Sequence, residues 1–130
     1  MKRKIEAPTA APPGGAYSPA VADAGLLFIS GQVGRDPVTD QLAPTLTEQV
    51  ELAIRNLEAV AAAAGITLSS VVKTTCFLAD IGEFDVFNRA YEASFPEPFP
   101  ARSTVGVSLA NGLLFEIEAV AVLQNGATPR

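Results

Sequence analysis

The sequence contains no histidine. Ser-His-Asp and Cys-His catalysis are therefore excluded, and histidine-based zinc sites go with them. Proton transfer falls to a carboxylate, a lysine, a tyrosine or water. The single cysteine, Cys76, can neither close an internal disulfide nor build a thiolate cage, so nothing points to an oxidising compartment, and no metal or cofactor is expected. Basic residues are few: 9 Lys and Arg stand against 14 Asp and Glu, a formal charge of −5. That field repels phosphate backbones and argues against nucleic acid as a partner. No window approaches the roughly 18 consecutive apolar residues of a membrane-spanning helix. Met1-Lys2-Arg3-Lys4 resembles the charged head of a signal peptide, but Ile5 to Gly15 is rich in Pro, Ala and Gly and lacks an apolar centre. The expectation is a soluble, cytoplasmic protein without a membrane partner.

What is present suits one domain with a core of its own. A length of 130 residues needs no disulfide or metal for stability. Apolar residues make up 48% and mean hydropathy is +0.28, which is rich for a small domain with much surface, so part of that surface is expected to meet another subunit. Residues 1–14 read as a leader segment, 15–123 as the core and 124–130 as a tail.

The pattern predicts an alternation of strands and helices. Lys2 to Ala7 suits a short edge strand. Tyr17 to Ala22 and Leu26 to Ser30 form a hairpin about Asp23-Ala24-Gly25, where glycine supplies positive φ. Thr45 and Glu48 have capping-box spacing. Leu46, Val50, Ile54, Leu57 and Ala61 then mark one helix face, which stops near Ala64 before Gly65. Val71 to Ala79, β-branched and nearly uncharged, reads as a central strand buried on both faces. Ile81, Phe84, Phe87, Tyr91 and Phe95 mark the core face of a second helix that ends at Pro96, Pro98 and Pro100. Strands near Arg102 to Ser108 and Leu113 to Val122 complete the order β-β-β-α-β-α-β-β. The fold class is α+β, two helices on one face of a sheet, with the other face left for a neighbouring subunit.

Ala16-Tyr17-Ser18, Ser30-Gly31-Gln32, Asn56-Leu57 within the first helix, Val71-Val72-Lys73-Thr74-Thr75, Phe84-Asp85-Val86-Phe87-Asn88, Pro100-Ala101-Arg102-Ser103 and Glu116-Ile117-Glu118-Ala119 occur in that order. Together they resemble the YjgF/YER057c/UK114 family, also called RidA, over residues 14 to 123. The resemblance implies a chorismate-mutase-like sandwich with a mixed sheet, a homotrimer with active sites between subunits, and hydrolysis of reactive 2-imino or enamino acids to 2-keto acids and ammonia.

A 2-imino acid carries a carboxylate beside an electrophilic C=N carbon, so its hydrolysis needs an anion clamp, a positioned water and a proton carrier. Arg102 suits the clamp, because a planar guanidinium holds a carboxylate through two parallel bonds. Glu116 matches the family's carboxylate near the attacking water, and partial burial would raise its pKa toward neutrality. Glu118, two residues on, faces the same side of its strand. Tyr17 is a third catalytic candidate, and Ser30, Gly31, Asn88 and Thr104 are candidates for substrate binding. Positioning and charge complementarity suffice for an intrinsically hydrolysable imine.

Each candidate has a plainer structural alternative. An arginine that starts a strand is ordinarily a solvated surface residue, Tyr17 is equally a packed aromatic, Ser30 a strand-end cap and Asn88 a local helix hydrogen-bonder. Cys76 reads as an inert buried thiol. Thr104 stands where the family often has cysteine, Ala16 where it often has proline, and Gly34 and Asp40 where it often has proline and glycine; the latter changes are expected to loosen a pocket-edge loop. Two other function classes stay open beside imine deamination: a non-catalytic trimer that binds small carboxylates, and a ribonuclease role that the missing histidines and the acidic charge disfavour.

Overall fold

Asp23 pairs with Leu26 across a two-residue turn in which Ala24 (φ 55°) and Gly25 (φ 78°) are both left-handed, the geometry that matches strand twist in a tight hairpin. The turn joins β2 (Ala20–Asp23) to β3 (Leu26–Val33). The computed structural model describes residues 1–10 and 12–123; the tail expected at 124–130 lies outside them. β1 (Arg3–Ile5) adds antiparallel to β2. Tyr17 precedes the hairpin in a loop, since β2 begins three residues later than the apolar run suggested. Pro19 explains the late start, because it has no N–H for the ladder.

Thr45 caps α1 (Leu46–Ala63) through its side chain to the Glu48 amide, and its hydroxyl also reaches the Glu48 carboxylate at 2.8 Å. Leu46, Val50, Ile54, Leu57 and Ala61 are all buried, as their spacing predicted. β4 (Val71–Leu78) leads through a single 3-10 turn, Ile81–Glu83, into α2 (Phe84–Ser94), and β5 (Ala101–Gly106) returns parallel to β4. β6 (Phe115–Val122) then inserts antiparallel between β3 and β4. The six strands lie in the order β1-β2-β3-β6-β4-β5, a mixed sheet with two helices, which is the α+β class expected.

Both helices cover the same face. Phe115, Ile117, Leu27, Cys76 and Leu78 point into that layer and are completely buried. The opposite face is open in the single chain, with Phe28, Val72, Val105 and Val122 exposed. Two expectations are corrected here. β4 is not buried on both faces: its residues alternate between core and open side, because helices cover only one side of the sheet. Ile81 and Phe84 are not core residues, since the chain enters α2 through the exposed 3-10 turn; Phe87, Tyr91 and Phe95 do line the core.

Candidate active site

Ser30 and Gly31 sit on a β-bulge. Ile29 pairs with Ala119 and Gln32 with Ile117, so two residues of β3 oppose Glu118 alone. The extra residue turns Ser30 and Gly31 both to the open face and sends Gln32 into the core, where it is 7% exposed. Bulges re-aim side chains in this way. Gln32 Nε2 donates to the Ser30 carbonyl at 3.2 Å and occupies the irregular backbone. Ser30 Oγ donates to the Ser18 carbonyl at 2.6 Å, which ties down the loop carrying Tyr17. The Tyr17 hydroxyl accepts from the Gly14 amide at 3.0 Å and keeps its own proton for another partner.

Tyr17, Ser30, Gly31, Glu116 and Glu118 line one hollow of about 340 Å³. Gly31 leaves room for the Glu116 carboxylate: a Cβ at this position would displace Oε2. Burial raises the Glu116 pKa above the ordinary glutamate value, and the nearby Glu118 charge pushes it the same way. A carboxyl so placed can accept and return a proton closer to neutrality.

Arg102 lies elsewhere. It faces the helices from the edge strand β5, with its guanidinium carbon 4.7 Å from the Tyr91 ring centroid, 5.0 Å from Phe87 and 5.5 Å from Phe84. Among the described residues no carboxylate pairs with it. It lines a hollow of about 380 Å³ with Asn88, Tyr91, Glu92, Phe99 and Pro100. Asn88 donates to Glu92 one turn on at 2.8 Å, the local bond that its helix position allowed. Thr104 follows Arg102 on the same face of β5, with Oγ1 buried and without a hydrogen-bond partner among the described residues; it does not line the Arg102 hollow. Burial pushes the Cys76 thiol up to about 12, consistent with an inert residue.

The predicted site residues thus fall into two groups. Arg102 shares its ladder row with Thr74 and Ala119, and Glu116 shares its row with Phe77 and Val105. The two Cα atoms are about 14 Å apart, taking ~4.8 Å between strands and ~3.3 Å per residue, and the side chains leave opposite faces of the sheet. One chain cannot place both on one small molecule.

The Endoribonuclease L-PSP family model matches residues 7–123. The chain belongs to the RidA (YjgF) family. The chain is 42% identical over 123 residues to the 2-iminobutanoate/2-iminopropanoate deaminase of Rattus norvegicus, covering 92% of this chain and 90% of that protein. A RutC family protein of Sinorhizobium fredii is 45% identical over 108 residues, 82% of this chain and 86% of the relative. The crystal structure of E. coli TdcF with bound serine superposes with a TM-score of 0.88 at 32% identity, covering 92% of this chain and 98% of that one.

Sequence reasoning missed two buried amides that tie loops of this RidA family member to α1. Gln49 Nε2 donates to the carbonyls of Ala43 and Gly112, both at 3.0 Å, and its Oε1 accepts from the Leu114 amide at 2.8 Å. Asn56 Nδ2 donates to the carbonyls of Val33 and Arg35, both at 2.9 Å. The Asn56 bonds fix the segment after the bulge, and Gly34 packs so near the Gln49 backbone that a Cβ would stand 2.5 Å from Gln49 Cα. Gly34 permits the close approach, while Asp40 takes the left-handed φ of 63° that aspartate tolerates. The available signal was polar side chains on an otherwise apolar helix face.

Proposed function

We propose that this protein hydrolyses short 2-imino acids to 2-keto acids and ammonia, at sites that form between the subunits of a homotrimer. The observation that carries the reading is Arg102: a guanidinium set against three aromatic rings, with no carboxylate partner among the described residues. A partly desolvated cation with uncommitted donors is suited to an incoming carboxylate. The serine bound to E. coli TdcF and the deaminase name of the rat relative support a small carboxylate substrate of this kind.

The open sheet face supplies the assembly. Its exposed Phe28, Val72, Val105 and Val122 need a cover, and a symmetric trimer brings the Arg102 edge of one subunit to the Glu116 hollow of the next. There Arg102 holds the substrate carboxylate while Glu116 accepts a proton from water as its oxygen bonds to the carbon of the protonated imine. The resulting carbinolamine takes a proton on nitrogen from the Glu116 carboxyl. Its hydroxyl proton is lost to solvent as the C–N bond breaks, giving the keto acid and ammonia. Tyr17 and Ser30 orient the water, and Asn88 borders the bound substrate. RNA cleavage fits this molecule less well, because a chain with a net charge of −5 and no histidine offers neither a phosphate track nor a ready acid-base pair.

The test generates 2-iminobutanoate in situ and follows 2-oxobutanoate formation with the wild-type protein, with Arg102→Ala and without protein. Acceleration by the wild type alone is expected. Equal rates in all three, with a folded oligomer, would replace the enzyme reading with that of a carboxylate-binding trimer.

A further inference from the structure

Thr74 is a completely buried hydroxyl in the middle of β4, at a strand position where valine would pack equally well. Its ladder neighbour on β5 is Arg102. Its Oγ1 shares a 2.7 Å hydrogen bond with the Tyr91 hydroxyl. Tyr91 in turn stacks on Phe95, with ring centroids 4.7 Å apart and planes 26° apart, and it is the nearest of the three rings to the Arg102 guanidinium. The connection is closed: from the Arg102 backbone across the ladder to Thr74, through its hydroxyl to Tyr91, and from that ring back to the Arg102 side chain. Phe84 and Phe87 carry no polar group that could fix their rotation in this way.

We propose that Thr74 and Tyr91 form a positioning pair that holds the Arg102 guanidinium with its in-plane donors turned toward the pocket and thereby sets affinity for the substrate carboxylate. This rests on the reading of Arg102 as the clamp. An arginine side chain at a sheet edge has several rotatable bonds, and a bidentate contact requires one orientation of the plane. Thr74 does not line the Arg102 hollow; Tyr91 lines it, with its hydroxyl committed to Thr74. The Tyr91 hydroxyl has Thr74 as its hydrogen-bond partner among the described residues, and the Thr74 hydroxyl also neighbours the Cys76 thiol.

Thr74→Val, Tyr91→Phe and the double variant test the proposal, each keeping the shape of the core. The readouts are the Kd of 2-oxobutanoate by titration calorimetry, KM and kcat with an imine generated in situ, and thermal midpoint. Each single variant is expected to raise Kd and KM about threefold to tenfold, the scale of one lost hydrogen bond, with kcat changed less than about twofold. The double variant should be no worse than either single one, because both break the same connection. In an Arg102→Lys background Tyr91→Phe should add nothing. Unchanged Kd and KM, or losses of kcat and thermal midpoint without a change in Kd, would overturn the pair. A wild type that neither binds 2-oxobutanoate nor hydrolyses the imine would instead remove the clamp reading and the pair together.

Discussion

Arg102 and Glu116 stand on opposite faces of one sheet, with Arg102 three ladder rows and two strands from Glu116. A site that uses both must draw them from different copies. Arg102→Ala and Glu116→Gln are each expected to be inactive alone, while co-folding them at equal amounts should return about a quarter of wild-type activity by random assortment in a symmetric ring. Turnover of the mixed preparation, compared with a mixture of the separately folded variants, reads this directly. Absence of any recovery would place the two residues outside a shared site.

Gly31→Ala forces the Glu116 carboxylate to move, since the added methyl group takes its place. The expected result is a large loss of kcat with little stability cost, because the displaced group is the flexible end of a side chain. Denaturant titration and turnover measured together check it. An alanine variant with wild-type turnover would show that Glu116 does not need its present position.

Glu116 also sets a pH signature. Its pKa is raised in the folded protein by burial and by Glu118, so the folded state binds the proton more tightly than the unfolded state. Stability is therefore fully retained below the ordinary glutamate value and declines as pH rises from there through the raised folded value. Glu116→Gln should remove that decline, so its thermal midpoint should gain on the wild type across this window and run parallel above it. In the wild type, kcat/KM should fall as pH drops through the raised value. A dependence of the thermal midpoint on pH identical in both proteins would assign the titration elsewhere.

Thr104 Oγ1 is buried without a partner among the described residues. Replacing it by an apolar group of the same shape removes a cost of about 1 kcal/mol, and Thr104→Val is expected to melt about 3 °C higher. If the hydroxyl is held for substrate, the same variant should bind 2-oxobutanoate more weakly. Higher stability with unchanged binding would make it only an uncompensated group.

The sequence alone determined the elements and the chemistry available. Helix α1 was legible because its apolar residues repeat at helical spacing and Thr45 with Glu48 announces its start, both local properties. The missing histidines removed whole mechanisms, and the Pro-Ala-Arg-Ser and Glu-Ile-Glu-Ala runs named the residues to watch. The tertiary structure decided where those residues point. A period-of-two pattern cannot reveal the bulge at Ser30 and Gly31, because the extra residue is defined only against the partner strand β6. Nor can it show β6 inserted between β3 and β4, since that pairing joins segments far apart in the chain. Burial of one sheet face follows from where the helices pack, which is why β4 reads as doubly buried in sequence and is open on one side in the fold. The separation of Arg102 from Glu116 has the same origin: strand order and pleat place side chains, and both are settled by long-range hydrogen bonds that no local stretch encodes.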